Sequence, residues 1–154
     1  MRKYWWIAAA AVIVDQAVKW ACMSLTQQVT VIPGVLALNY TENTGMAFSL
    51  FSGRAWLLGV VSAVCIIGGW LTLRKYQLGA WSKVGAMLML GGAVGNMIDR
   101  FLRGYVVDMF EALFVRFAIF NVADVALTVG TALLAVSLIF CPEEWRERQA
   151  AKET

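Results

Sequence analysis

The residues in this chain that could do chemistry are carboxylates. Asp108 sits in GYVVDMF, between apolar residues, with Glu111 three positions on and the nearest basic residues, Arg103 and Arg116, five and eight positions away. Asp124 sits in FNVADV, with Asn121 three residues before it and Thr128 one helical turn after it. Asn and Thr can orient a carboxylate without neutralising it. Two carboxylates without cationic partners, brought within a few ångströms, share a proton, because like-charge repulsion raises one pKa. One then deprotonates a water while the other donates a proton to a peptide carbonyl. That is aspartic peptidase chemistry, and it needs no metal, cofactor, histidine or nucleophilic serine. The same residues leave open a proton or ion pathway and a pair of unrelated interfacial acids.

Composition removes other classes. Histidine is absent from the 154 residues, which excludes His-ligated zinc sites and His-based serine or cysteine triads. Cys22, Cys65 and Cys141 form no CxxC pair and read as small buried hydrophobes. The net charge of +3 comes from basic residues scattered at segment ends, so it implies no nucleic-acid partner. The chain is 60% hydrophobic and 15% charged, with mean hydropathy +0.68. A soluble domain has about 45–50% apolar and about 25% charged residues. These values describe an integral membrane protein of a single domain, 1–154.

The elements that must hold the acids are then membrane spans, each needing about 20 apolar residues. Four segments qualify: 4–25, 55–73, 84–102 and 118–140, joined on one side by longer connections at 26–54 and 103–117. The expected fold is an all-α membrane protein, a four-transmembrane-helix bundle with a small extracytoplasmic β-hairpin. The hairpin is VTVIPGVLALNYT, alternating and β-branched around Pro33-Gly34. After it, NTGMAFSLF is expected to form a short interfacial helical turn. The N-terminus imitates a secretion signal, but Asp15 and Lys19 interrupt its apolar run and no clean cleavage site follows, so it reads as a retained first span. Basic residues orient the bundle. Arg2 and Lys3, the 74–83 loop with Arg74, Lys75 and Lys83, and the tail with Arg146, Arg148 and Lys152 are assigned to the cytoplasm. The tail from Glu143 to Thr154 reads as a frayed helix end.

Other polar residues lie inside the apolar segments. Asp15 and Lys19, four apart, share a helix face and read as a structural ion pair. Gly91, Gly95 and Gly92, Asn96 follow helical spacing, offering another helix a close approach that Asn96 can bridge with a hydrogen bond. Asp99, followed at once by Arg100, is expected to be held ionised by it. Three rival functions stay open. One is a small transporter or proton relay through Asp15, Asp99 and Asp124. Another is a non-enzymatic assembly or anchoring subunit. The third is a Ser–Lys hydrolase using Lys19 with Ser24 or Ser49.

Five blocks in order resemble one family: DQAVK (Asp15 to Lys19), NTGMAF (Asn43 to Phe48), GGAVGNMIDR (Gly91 to Arg100), GYVVDMF (Gly104 to Phe110) and FNVADV (Phe120 to Val125). The chain is similar to the bacterial lipoprotein signal peptidases, or signal peptidase II. The resemblance implies an aspartic endopeptidase of the bacterial cytoplasmic (inner) membrane with both termini cytoplasmic and its site near the extracytoplasmic face. It would remove signal peptides from diacylglyceryl-modified prolipoproteins, cutting just before the lipidated cysteine, with membrane lipid around it and no oligomer implied. By motif position Asp108 and Asp124 would be the catalytic pair. Asn43, Gly45, Asn96, Arg100 and Asn121 would shape the site or hold substrate, and Asp15, Lys19 and Asp99 would be supporting.

Overall fold

The computed structural model describes residues 1–45 and 53–145. Most of the expected interfacial turn in NTGMAFSLF, and the tail basic residues Arg146, Arg148 and Lys152, lie outside the described residues. Four helices are present: α1 (Trp5–Cys22), α2 (Ala55–Leu73), α3 (Ala80–Leu102) and α4 (Val122–Phe140). Three strands accompany them: β1 (Val29–Ile32), β2 (Leu36–Asn43) and β3 (Val106–Ala112). α2 and α4 are each long and apolar enough to cross a membrane by length and composition. α1 and α3 carry the charges that sequence reading placed inside spans. Exposed side chains such as Trp56, Val64, Ile67, Leu138 and Phe140 give the bundle an apolar exterior, which suits lipid and not water. Of the cysteines, Cys22 is buried, whereas Cys65 is exposed on α2 and Cys141 is half-buried, so the expectation of buried thiols holds for Cys22 alone.

α3 is the hub of the bundle and packs against the other three helices. It runs parallel to α1 and antiparallel to α4, and its glycine-rich face makes both contacts possible. A Cβ on Gly95 would lie 2.6 Å from Asp15 Oδ2, and one on Gly92 would collide with the Ala123 carbonyl of α4. The small-residue spacing therefore serves two helix contacts at once. Of the tail expected to fray, only its start is among the described residues: Pro142–Trp145 form a 3-10 turn, and Glu144 accepts hydrogen bonds from Gly79 N and Ser82 at the start of α3. A carboxylate there satisfies N–H groups that a helix N-terminus leaves unpaired.

The expectation of helices plus a hairpin is corrected in one element. The β1–β2 hairpin forms around Gly34 (φ 71°), but VVDMFEA, expected in the 103–117 loop, is strand β3 and completes a three-stranded antiparallel sheet. Gly104 (φ 79°) turns the chain after α3, a conformation that favours glycine. Val107 N then donates to Asp99 Oδ2 (3.2 Å), fastening β3 to the helix it has just left. Val107 and Met109 pack with Cys22, Val18 and Leu38, seating the sheet on the end of α1. β2 pairs with β3 so that Thr41 lies opposite Asp108 and Asn43 opposite Val106. On α4's side, Phe110 and Phe120 exchange backbone hydrogen bonds (2.8 and 3.1 Å), so β3 is tied to the residues that lead into α4.

The fit at Gly95 yields a test. Gly95→Ala places a methyl against Asp15 Oδ2, and overpacking of this kind destabilises by about 1–3 kcal/mol. The expected result is a lower unfolding midpoint in detergent, with Gly104→Ala affected through backbone strain instead of a clash.

Candidate active site

The site begins with a buried charge cluster between α1 and α3. Lys19 is fully buried and uses all three ammonium hydrogens: on Asp15 Oδ2 (2.9 Å), on Asp99 Oδ2 (2.8 Å) and on Asn96 Oδ1 (2.9 Å). Asp99 also pairs with Arg103, so two carboxylates meet two cations and no net charge is left inside. The expected Asp15–Lys19 pair is present. The expected Asp99–Arg100 pair is not, because adjacent residues on a helix point to different faces. Arg103, one turn on, takes that place.

The cluster reaches α4 through two links. Asp15 Oδ1 accepts from Ala123 N (2.9 Å), one of the unpaired N–H groups in the first turn of α4. Asn121 is the N-cap of that helix, and with Asp124 it forms a reciprocal capping box: Asp124 N donates to Asn121 Oδ1 (2.9 Å) and Asn121 N to Asp124 Oδ2 (3.2 Å). This is why α4 begins at Val122 and not near residue 118. The spacing of three leaves this cap unstated in the sequence analysis, although an Asn-x-x-Asp ahead of an apolar run is its signal.

The amide orientations follow from these bonds. Asn96 Oδ1 accepts from Lys19 and from Asn121 Nδ2 (3.1 Å), so its own Nδ2 must face Asp124 Oδ1, to which it donates (2.8 Å). Asn121 Oδ1 is committed to the cap, so its Nδ2 faces Asp108 Oδ1 (2.6 Å). Asn43 Oδ1 accepts from Gly45 N (3.0 Å), which turns its Nδ2 onto Asp108 Oδ2 (3.0 Å). Each acid is thus held by asparagine amides, and Asn121 touches both. Glu111 lies on the opposite face of β3, where it accepts from Gln28 and Asn39 (2.8 Å each). It makes no hydrogen bond to Asp108 or Asp124, although with Asp108 and Asn43 it lines a further cavity of about 750 Å³.

Asp108 and Asp124 line one cavity of about 530 Å³ with Asn43, Asn96, Arg100 and Thr128. Arg100 donates to the Asn96 carbonyl (3.2 Å), and the charges acting on its guanidinium are those of Asp124, Asp108 and Asp99. Its Nε is buried and has no hydrogen-bond partner among the described residues. Asp108 has its pKa pushed up to about 6, first by burial and then by the Asp124 charge, against the opposing pull of the Asn43 and Asn121 amides and of Lys19. Among the described residues, no group of three or more His, Cys, Asp or Glu side chains is placed to hold a metal ion. The Ser–Lys alternative fails on geometry: Lys19 is committed to Asp15, Asp99 and Asn96, and Ser24 donates to the Ala21 carbonyl. Ser49 lies outside the described residues.

The family model described as Signal peptidase (SPase) II matches residues 7–140. The chain belongs to the signal peptidase II family. Its relatives include the lipoprotein signal peptidase of Nostoc sp. (strain PCC 7120), 38% identical over 151 residues and covering 96% of each chain. That of Streptococcus thermophilus is 41% identical over 151 residues, again with 94% of each chain covered. A bacterial membrane enzyme solved by the in meso method at 2.3 Å resolution superposes with TM-score 0.83 at 30% identity, covering 90% of this chain and 88% of that one. As a signal peptidase II, the chain is a peptidase with a membrane-enzyme fold, and the polar network described above lies within the matched residues.

Two measurements check this geometry. Lys19→Met leaves the buried Asp15 without a cation while Asp99 keeps Arg103, and breaking a buried pair costs roughly 3–5 kcal/mol, read as the loss of unfolding free energy in detergent. Infrared difference spectra of the wild type are expected to show a protonated carboxyl band titrating with a midpoint of about 6. The band should vanish in Asp108→Asn and move to lower pH in Asp124→Asn, because the neighbouring charge that raises it is gone.

Proposed function

We propose that this signal peptidase II is an aspartic endopeptidase that removes signal peptides from diacylglyceryl-modified prolipoproteins, cutting just before the lipidated cysteine. The observation that carries this reading is the bridging of Asp108 and Asp124 by Asn121 at the wall of a single cavity. In this reading all four helices span the bacterial cytoplasmic membrane, both termini face the cytoplasm, and the sheet lies at the extracytoplasmic surface. The lipid anchor holds the scissile bond at the depth of the membrane surface, so acids at the sheet end of α4 and on β3 meet it there. α1 and α3 can span despite their charges because those charges are neutralised inside the bundle.

Asp108 and Asp124 bracket one water. The ionised carboxylate takes a proton from that water, and the protonated partner donates to the scissile carbonyl oxygen, giving a tetrahedral intermediate. Collapse returns a proton to the leaving amine, and the two acids exchange roles. The pair titrates as a unit, so the shared proton belongs to both. In this reading Asn43 orients Asp108, and the Arg100 side chain meets the substrate from the cavity wall. A cleft of about 440 Å³ between α2 and α4, lined by Ser62, Cys65 and Leu127, reaches Asp124 from the side and supports entry of the acylated peptide directly from the membrane.

A proton relay through Asp15, Asp99 and Asp124 is disfavoured by the same network. Asp15 and Asp99 are both ion-paired to a lysine that has no hydrogen left to give elsewhere.

In a cleavage assay on a lipidated precursor, Asp108→Asn and Asp124→Asn are each expected to fold, bind substrate and lose turnover by roughly 10²–10⁴-fold or more. Full activity in either variant overturns the mechanism, and equal cleavage of an unlipidated precursor overturns the substrate assignment. A pair that works with one shared proton loses it on the alkaline side. The free-enzyme kcat/KM is therefore expected to fall as pH rises through about 6.

A further inference from the structure

The end of the bundle away from the sheet carries a second cavity unrelated to the acids. It is a groove of about 730 Å³ between α1 and α2, floored by α3, and every residue lining it is apolar. Ala9, Ile13, Ile67, Leu90 and Gly91 form its length. Trp5 and Trp70 join the two helices across one end, with ring centroids 5.1 Å apart, and neither indole N–H donates a hydrogen bond among the described residues. A groove of this size falls in the range of ligand pockets, about 300–1,000 Å³.

Helical spacing places a cation from each of three helices at the Trp end. Lys83 is seven residues before Leu90, and Arg74 seven after Ile67, so each shares the groove face of its helix. Arg2 and Lys3 lie in the 3-10 turn, Arg2–Tyr4, that leads into α1 at Trp5, and so stand at the same end of the bundle. The ammonium groups of Lys3 and Lys83 lie 5.3 and 5.9 Å from the centroid of the same Tyr4 ring, which brings the α1 and α3 cations together. None of these four basic residues has a carboxylate partner among the described residues.

We propose that this groove is a binding site for one anionic phospholipid of the leaflet at that end, a role separate from cleavage that rests on the membrane-spanning reading given above. The phosphate-bearing headgroup meets Arg2, Lys3, Arg74 and Lys83. The glycerol region lies against the Trp5–Trp70 pair, whose free N–H groups suit its ester oxygens, and one acyl chain fills the apolar groove. Charge complementarity selects the occupant: a zwitterionic lipid carries its own cation into this basic cluster, and a soluble anion leaves the groove unfilled.

The test is native mass spectrometry of the full chain after detergent exchange with equimolar dioleoyl phosphatidylglycerol and dioleoyl phosphatidylcholine. The wild type is expected to retain the anionic lipid at least tenfold over the zwitterionic one. The combined variant Arg2→Gln, Lys3→Gln, Arg74→Gln, Lys83→Gln loses that preference, and Ala9→Trp, which fills the groove and leaves the charges, loses retention of both lipids. Equal retention of the two lipids by the wild type overturns the site, and so does undiminished retention by Ala9→Trp, which would mean surface adsorption only. Circular dichroism and retained precursor cleavage check that both variants fold. Retention is read without turnover, so failure of the peptidase mechanism and failure of the lipid site give separate results.

Discussion

Lys19 is the constraint around which the enzyme is built. A fully buried ammonium is tolerable only when each of its hydrogens meets an acceptor, and here the acceptors come from α1 and α3. Meeting that demand fixes how α1 lies on α3 and directs the Asn96 amide. Through Asp15 it also holds the first turn of α4, which carries Asp124. The polar core is expensive as a source of stability, since an apolar core of equal volume would serve as well or better. Its value lies in orientation: asparagine amides can be read in either direction, and the ammonium removes that ambiguity.

Much of this was legible in the sequence. Four helices were marked by length and apolarity, and α2 was bounded without error at Ala55 and Leu73 because no charge interrupts it. The Asp15–Lys19 pair followed from a spacing of four, and the glycine face of α3 from the same period. Asp108 and Asp124 stood out because neither had a cation within local reach. The misses have two causes: β3 depends on a non-local partner, whereas the Asn121–Asp124 cap and the Asp99–Arg103 pair are local contacts at spacings of three and four. β3 looked like a loop because a short apolar run carries no period of its own, and its partner β2 lies across two helices in sequence. Asp99 was paired with its neighbour in the chain, whereas its partners are one turn away and on another helix.

The site itself joins two kinds of support. Asp124 sits on a helix whose first turn is capped and anchored, whereas Asp108 sits on a strand held by β2 on one side and by Phe120 on the other. Asn121 belongs to both, capping the helix with its oxygen and meeting the strand's acid with its nitrogen. Arg100 keeps a buried donor without a partner among the described residues, close to both acids in charge and beside them in the cavity wall.

The placement of the acids along the chain has a consequence for biogenesis. Asp108 precedes α4 and Asp124 lies within it, so a nascent chain that ends before α4 carries one acid and lacks Asn121 altogether. The amide that touches both acids, and the second acid itself, arrive only with the start of α4. A copy made only as far as β3 thus holds Asp108 with neither of them beside it.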